Sequence, residues 1–590
     1  MAEPRELSLD ELAEVLEGHQ KWIKSRGKKG KQANLSHANL KRADLSGANL
    51  YRADLVEANL QGAVLFKANL QQANLSRANL VGAVLLKASL QGANLSNANL
   101  QGSVLLKADL QEANLTSAKL QKADLSGADL KGAVLIEANL REAHLTKAIL
   151  REANLQDTDF SDATGLLDSQ LAGTNLSGAR LADSIAKFEG LKQVEETSRN
   201  ARKIFFLVLL GCAYSWLTIA MTTDARLVTD SPSSPLPIIH TEIPIATFYW
   251  VAPVMLLTLY FYLHLYLQRL WRGLSRLPAV FPDGRALDER AYPWLLNGLT
   301  RSYLRQLKDH RPALSRLEIF FSTLLAWWIV PATLLLFWLR YLPRHDWMGT
   351  ALHIGLIVIA SAFWVLSRHL TKKTLRLEER PRYTWKRALG DARTYQGAML
   401  ATGIFGLGII FYNLSLGAID GIPDRFLSPI YTVSIPMPLK LTLVLKFPNN
   451  GWSEVQRWVP RAFELIHHSP FANLTEEDVS LKPPNWTGRH EEIALVKGAL
   501  LKGRDLRFTN ATRAFLVKAD LREADLTGAN LAQADLRKAN LEGADLNRAD
   551  LRGAILTGVV GLRQEQINRA CVDETTRLPL SLERPERPAC

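Results

Sequence analysis

The chain has 590 residues, a formal net charge of +13 and 47% apolar residues. That length exceeds one ordinary core, so two or more domains are expected. The positive balance suits nucleic acid or an anionic membrane surface, and its distribution decides between them. Three scattered cysteines, Cys212, Cys571 and Cys590, give no metal-ligand spacing and no disulfide framework, and are read as unpaired thiols.

Residues 1–30 open with charge and no apolar segment, so the first domain is expected in the cytoplasm. Residues 8–24 read as an amphipathic capping helix with Ser8 as N-cap. Leu9, Leu12, Val15, Leu16 and Trp22 can cover the open end of the adjoining domain.

Residues 31–183 repeat every five positions. Leu occupies position 35 and every fifth residue to Leu155, with Phe160 next, which makes 26 consecutive units. Ala precedes each by two places, with Ser103 and Thr158 as small substitutes, and Asn or Asp usually lies between. Neither the helical period nor the strand period fits, and a strict short repeat means a solenoid. A second period of 20 is visible. Ala63-Val64-Leu65-Phe66-Lys67 recurs as Ala83-Val84-Leu85-Leu86-Lys87 and as Ser103-Val104-Leu105-Leu106-Lys107. The register breaks at 161–173, read as a loop bulging from the last coil, and residues 184–203 read as a charged juxtamembrane helix.

This pattern resembles the pentapeptide-repeat family, whose unit is A-(D/N)-L-x-x. The resemblance implies a right-handed quadrilateral β-helix of about 6.5 coils here, at four units per coil. A second block, residues 496–558, repeats in one register and implies about three more coils. Residues 559–590 read as its cap and tail, with a short helix around Gln564–Ala570. The whole looks like a bacterial, membrane-anchored type.

Between the blocks lies the region 204–419. Five stretches without Asp, Glu, Lys or Arg are long enough to span a bilayer: 204–223, 243–268, 319–339, 347–367 and 394–419. The loop 269–316 carries ten Arg or Lys and 368–393 carries nine, against one in 224–242 and two in 340–346. The rich loops are expected on the cytoplasmic side of a bacterial inner membrane, with the N-terminal solenoid. Five spans put the C-terminal solenoid on the other side; a fifth segment that dips and returns keeps both in the cytoplasm. Residues 420–495 read as a mixed linker domain, with an amphipathic strand at 439–447 rather than a sixth span.

No catalytic, cofactor or metal constellation is present, and a non-catalytic chain is expected. Gly403, Gly406 and Gly408 read as helix-packing glycines, and His467-His468 as a surface pair. His264 is the ionisable residue well inside a span; its plain reading is a neutral ring hydrogen-bonded among Tyr260, Tyr262 and Tyr266, its functional one an intramembrane polar site. His353 is read the same way. The candidate docking face is a ridge of Val64, Val84 and Val104 with Phe66, Leu86 and Leu106, edged by Lys67, Lys87 and Lys107. Plain ladder stacking between coils is the competing account. The ridge suits a protein partner, the chain's own loops or anionic headgroups.

Some relatives mimic duplex DNA and bind type II topoisomerases. That needs a negative surface, yet residues 31–183 hold 15 basic and 15 acidic side chains and residues 494–558 hold 11 and 8. Nucleic acid is therefore not expected. The partners expected are the lipid bilayer and proteins, with self-association open. The function expected is a membrane scaffold or sensor; a channel or transporter regulated by its solenoids is the alternative.

Overall fold

A computed structural model describes residues 5–182, 190–229, 244–291, 294–307, 314–375 and 470–585, with 185, 188, 406, 408, 410–412, 415, 432–433 and 443–444. The chain divides into two compact units. One comprises Met1–Phe206, Tyr262–Ala326 and Val365–Arg382; the other comprises Leu207–Phe261, Trp327–Trp364 and Tyr383–Cys590.

In the first unit the five-residue repeat builds a β-solenoid. Parallel bridges link residues 20 apart in four columns, for example Asn34 to Asp54, Asn39 to Asn59, Asp44 to Val64 and Asn49 to Asn69. Each bridge exchanges two main-chain bonds, as when Leu35 N–H donates to Asp54 O (2.7 Å) and Asp54 N–H to Ala33 O (2.9 Å). The Ala and Leu of each unit point inward and are fully buried from Leu50 to Leu130. Small and large residues alternate there because a narrow interior can be filled only that way. The Asn or Asp between them has its own task. Its side-chain oxygen accepts the N–H two residues on, as Asn69 Oδ1 does from Gln71 N (3.2 Å), which fixes each corner as an Asx turn. Stacked Asn residues also bond from coil to coil, Asn59 to Asn39 and Asn79 to Asn59, both 3.2 Å.

The first coil is closed by α1 (Leu9–Lys24). Ser8 and Glu11 form a reciprocal capping box at its start. Strand β1 (Arg5–Glu6) pairs in parallel with β2 (Ala38–Asn39). Leu12, Val15, Leu16 and Trp22 are half-buried, while His19 is fully buried. His19 Nδ1 accepts the Ala33 N–H at 3.0 Å, in place of the Leu carbonyl three residues back that accepts this N–H in later units, as Leu35 O does from Ala38 N, and burial pushes its pKa down.

The break at 161–173 is a cap rather than a free loop. A 3-10 turn, Asp168–Leu171, carries Gln170, whose amide donates to Leu145 O (2.8 Å) and Ala148 O (2.7 Å). The ladder then resumes one residue out of step, Asn154 pairing with Asn175 and Asp159 with Arg180. Its last edge is covered by a segment from far along the chain: Leu176 N–H donates to Val280 O (3.0 Å) and Ala279 N–H to Thr174 O (2.8 Å). Gln306 adds a bond to Glu152 O (2.6 Å), and Arg305 lies 3.5 Å from Glu112. The loop after the second apolar helix is thereby part of this solenoid.

Among the described residues, four helices are long and apolar enough to cross a membrane: α2 (Gly190–Met221), α3 (Ile245–Leu274), α4 (Arg316–Arg344) and α5 (Trp347–Leu375). The expected juxtamembrane helix and first span are one continuous helix, which starts at Gly190. The expected fifth span, 394–419, lies mostly outside the described residues, as do Gly403 and His467-His468. Leu443–Val444, within the expected 439–447 strand, is β4 and pairs antiparallel with β3 (Thr432–Val433).

The second unit holds a second solenoid, with bridges from Leu500–Asp520 to Asn540–Val560 at the same 20-residue spacing. It starts earlier than the 496–558 block. Ala472-Asn473-Leu474 is a repeat unit set apart by an insertion, and Asn473 bridges Asn510. Ala225 and Val228, from the short helix Asp224–Thr229, join its core. Asp224 accepts the Asn473 N–H (2.7 Å) and pairs with Arg340. The far end repeats the first cap. Gln566, in the short helix Gln564–Asn568, donates to Leu541 O (3.1 Å) and Ala544 O (2.7 Å). The same Gly-Leu-x-x-x-Gln order leads into both caps, from Gly165 and from Gly561. Both glycines are left-handed, φ 75 and 73, and press on the coil beneath. A Cβ at 561 would lie 2.8 Å from Glu542 N and one at 165 would lie 2.8 Å from Thr146 N, so only glycine fits. Cys571 in this cap is disulfide-bonded, which corrects its reading as an unpaired thiol; Cys212 is free.

Candidate interaction surface

The nine residues of the expected ridge are brought together. Val64, Val84 and Val104 form successive bridges of one column. The neighbouring corner stacks likewise, Lys67 N–H donating to Leu86 O (3.1 Å) and Lys87 N–H to Leu106 O (3.0 Å). Ladder stacking therefore does occur, but it does not bury the ridge. The three valines, Phe66, Leu86 and Leu106 stay half-buried, and all three lysines are exposed. Each lysine occupies the left-handed corner position, φ 54 to 56, which turns its side chain away from the interior.

The ridge has defined ends. Asp44 bridges Val64 on one side and Asp124 bridges Val104 on the other. Three coils at strand spacing make it roughly 10 Å long between Val64 and Val104. Lys67 Nζ sits 5.0 Å from the Phe66 ring centre. Among the described residues none of the three ammonium groups has a carboxylate partner. Three like charges stacked at about 5 Å repel by roughly 1 kcal/mol per neighbouring pair in water, which an acidic partner would relieve. Among the described residues, the loop after α3 meets the solenoid away from the ridge. Arg305 and Gln306 lie against the corner that carries Glu112, Gly132 and Glu152, a different corner of the coil.

His264 is fully buried, and its partners differ from those expected. Its Nδ1 lies 2.8 Å from Ser367 Oγ, and its ring also meets the Ala326 carbonyl. Ala326 lies in Leu324–Trp328, a π-helical turn of α4 whose carbonyls are displaced from the ordinary ladder. Gln268, one turn along α3, donates to Ser367 O and to Thr371 Oγ1, both 3.2 Å.

In the second unit Tyr260 Oη donates to Trp327 O (3.0 Å), another carbonyl of that π-turn. His353, also fully buried, has Nε2 3.0 Å from Tyr249 O. His345, unremarked in the sequence, is buried, with Nδ1 3.3 Å from the Asp505 carboxylate. Burial pushes Asp505 up, but bonds from His345 and Arg507 outweigh it and hold the carboxyl well below its ordinary value. Sequence reasoning also missed the arginine staples. Asp505, Asp520, Asp535 and Asp550 each hold the arginine two residues on at 2.6–2.7 Å. Asp-Leu-Arg at 15-residue spacing is the signal that marks them. Among the described residues no group of three His, Cys, Asp or Glu gathers to hold a metal ion.

The architecture defines a class: β-solenoids of five-residue units, joined by long apolar helices. Eight copies of the family described as Pentapeptide repeats match, over residues 31–65, 63–102, 93–132, 128–164, 496–528 and 519–558. The chain belongs to this family. It is similar to the solved structure of HetL, a pentapeptide repeat protein involved in heterocyst differentiation regulation from the cyanobacterium Nostoc sp. strain PCC 7120. The identity is 39%, over 25% of this chain and 70% of that one, with a TM-score of 0.20. It is also similar to Rfr23 from the cyanobacterium Cyanothece 51142, at 39% identity over 16% of this chain and 60% of that one, TM-score 0.13. QnrB1, a plasmid-mediated fluoroquinolone resistance protein, is 21% identical over 24% of this chain and 80% of that one, TM-score 0.16. No curated protein matches the chain.

Proposed function

We propose that this protein is a non-catalytic scaffold or sensor of a bacterial membrane, whose solenoids display surfaces for protein contacts. The observation that carries the reading is the half-buried ridge of Phe66, Leu86 and Leu106, uncovered among the described residues, on a solenoid that is edge-bonded to the Val280 segment between two apolar helices. A rigid ladder held by such a segment suits display. The acidic complement of Lys67, Lys87 and Lys107 describes the partner: a protein with an apolar strip flanked by carboxylates.

The same reading assigns sides. The N-terminal solenoid is cytoplasmic, because its last edge is made by the arginine-rich 269–316 loop. The C-terminal solenoid is non-cytoplasmic, because it is held by Asp224 and His345, which lie in or beside the two loops poor in Lys and Arg. A disulfide at Cys571 supports that side, since such bonds persist in oxidising compartments. The balanced charge of residues 31–183 argues against a DNA mimic.

The test is a triple change, Phe66→Ser, Leu86→Ser and Leu106→Ser, in the full chain. The partner that copurifies with the wild type from native membranes should be lost while the solenoid stays folded by hydrogen exchange. An unchanged complex would remove the ridge from the account. Ion flux in liposomes carrying the purified chain would favour the channel alternative instead.

A further inference from the structure

We propose that a cavity at the end of α3 binds the phosphate-bearing headgroup of an anionic membrane lipid. This rests on reading α2 and α3 as membrane-crossing helices. The cavity measures about 360 Å³ and is lined by the first turns of α2, the last turns of α3 and the 168–171 turn of the solenoid cap. That is the small end of the ligand range, room for a headgroup.

Arg269 and Arg272 line it from the last turns of α3, and Arg276 from the turn that follows Leu274. A spacing of three puts the first two on one helix face. All three are exposed, and among the described residues none is ion-paired. Asp168 is the one carboxylate in the lining and is itself engaged. Val194 and Leu277 are buried in the wall, so the charges border an apolar surface, as lipid contact requires.

Position names the ligand. The apolar run of α3 ends at Gln268, and the arginines come at once after it, at headgroup depth. Charge bias puts this end on the cytoplasmic side, where anionic lipids give the leaflet its negative potential. Guanidinium forks match phosphate oxygens in pairs, which a row of lysines would not do. The base of the cavity is firm. A Cβ on Gly273 would stand 2.6 Å from Val194 Cγ2, so α2 and α3 pack closely beneath the arginines.

The experiment places the full chain in nanodiscs of phosphatidylcholine with or without phosphatidylglycerol and reads retained lipid by native mass spectrometry. Phosphatidylglycerol should be enriched on the wild type. Joint change of Arg269→Gln, Arg272→Gln and Arg276→Gln should cut that enrichment at least about tenfold, at roughly 1 kcal/mol per arginine near the surface. Arg285→Gln, on the same loop but outside the cavity, should leave it unchanged. Equal enrichment on the triple variant overturns the proposal, and Arg272→Gln alone repeats the reading if the triple variant loses its helical circular dichroism. Displacement of the lipid by millimolar inorganic phosphate would overturn the lipid source and assign the cavity to a soluble anion. A carbonate wash separates the two failures. If it releases the chain, the membrane reading fails, and arginine-dependent phosphate binding by the released chain then decides the cavity by itself.

Discussion

Gln566 closes the C-terminal solenoid through three bonds. Its Oε1 accepts the Arg563 N–H (2.8 Å), and its Nε2 donates to the carbonyls of Leu541 and Ala544. Gln566→Leu keeps the volume and removes all three. The Ala544 carbonyl and the Arg563 N–H then lose their partner, while Leu541 O keeps the Ala544 N–H (3.1 Å), and each such loss costs about 1–2 kcal/mol where water cannot reach. The expected destabilisation of the cap is about 2–4 kcal/mol. Hydrogen exchange on the full chain is the suitable assay, because a chain of several parts has no single unfolding free energy. Amides of 541–577 should exchange roughly 30- to 700-fold faster, while those of 33–130 are unchanged. Gln170→Leu should do the same around Leu145 and Ala148, where the bond pattern is repeated. Unchanged protection in both variants would refute the idea that one glutamine ends each ladder.

Replacing His264 by Leu should cost about 1–3 kcal/mol, read as a lower melting temperature in detergent, because the Ser367 hydroxyl and the Ala326 carbonyl lose their partner. Gly561→Ala should loosen the same cap as Gln566→Leu, by at least about 1–2 kcal/mol, since the residue is left-handed and pressed on Glu542; exchange across 561–571 reads it. Acid should loosen that cap as well. Bonds from Thr575, Thr576 and Gly553 hold the Asp573 carboxyl down to about 2, below its ordinary 3.8. A folded value below the unfolded one means the contribution is complete above about pH 4 and is lost as pH falls toward 2. Proteolysis of the tail should therefore quicken over that interval in the wild type and less so in Asp573→Asn. In intact cells the Cys571 thiol should react with an impermeant maleimide only after reduction; labelling without reductant would count against the disulfide.

The solenoids were legible because one residue in five is Leu and its period never slips from Leu35 to Leu155. The 20-residue recurrence of Val64, Val84 and Val104 gave the faces as well. The caps were hidden because they rest on a single glutamine each, and one glutamine leaves no periodic trace. Ala472-Asn473-Leu474 was readable as a unit, but an insertion of more than twenty residues isolates it from the block it completes. The bond between Leu176 and Val280 could not be read, since no pattern ties a repeat to a loop about a hundred residues away. His264 was found by its place in an apolar run. Its partners escaped notice because one is a carbonyl freed by a π-turn, which composition does not announce.

Site-specific photo-crosslinking in cells bears most directly on the ridge. A photoreactive residue at position 86 should join the chain to one discrete protein, and the same residue at position 94, on another face of that coil, should not. Identical crosslinks from both positions, or none from position 86, would contradict the ridge as the contact surface.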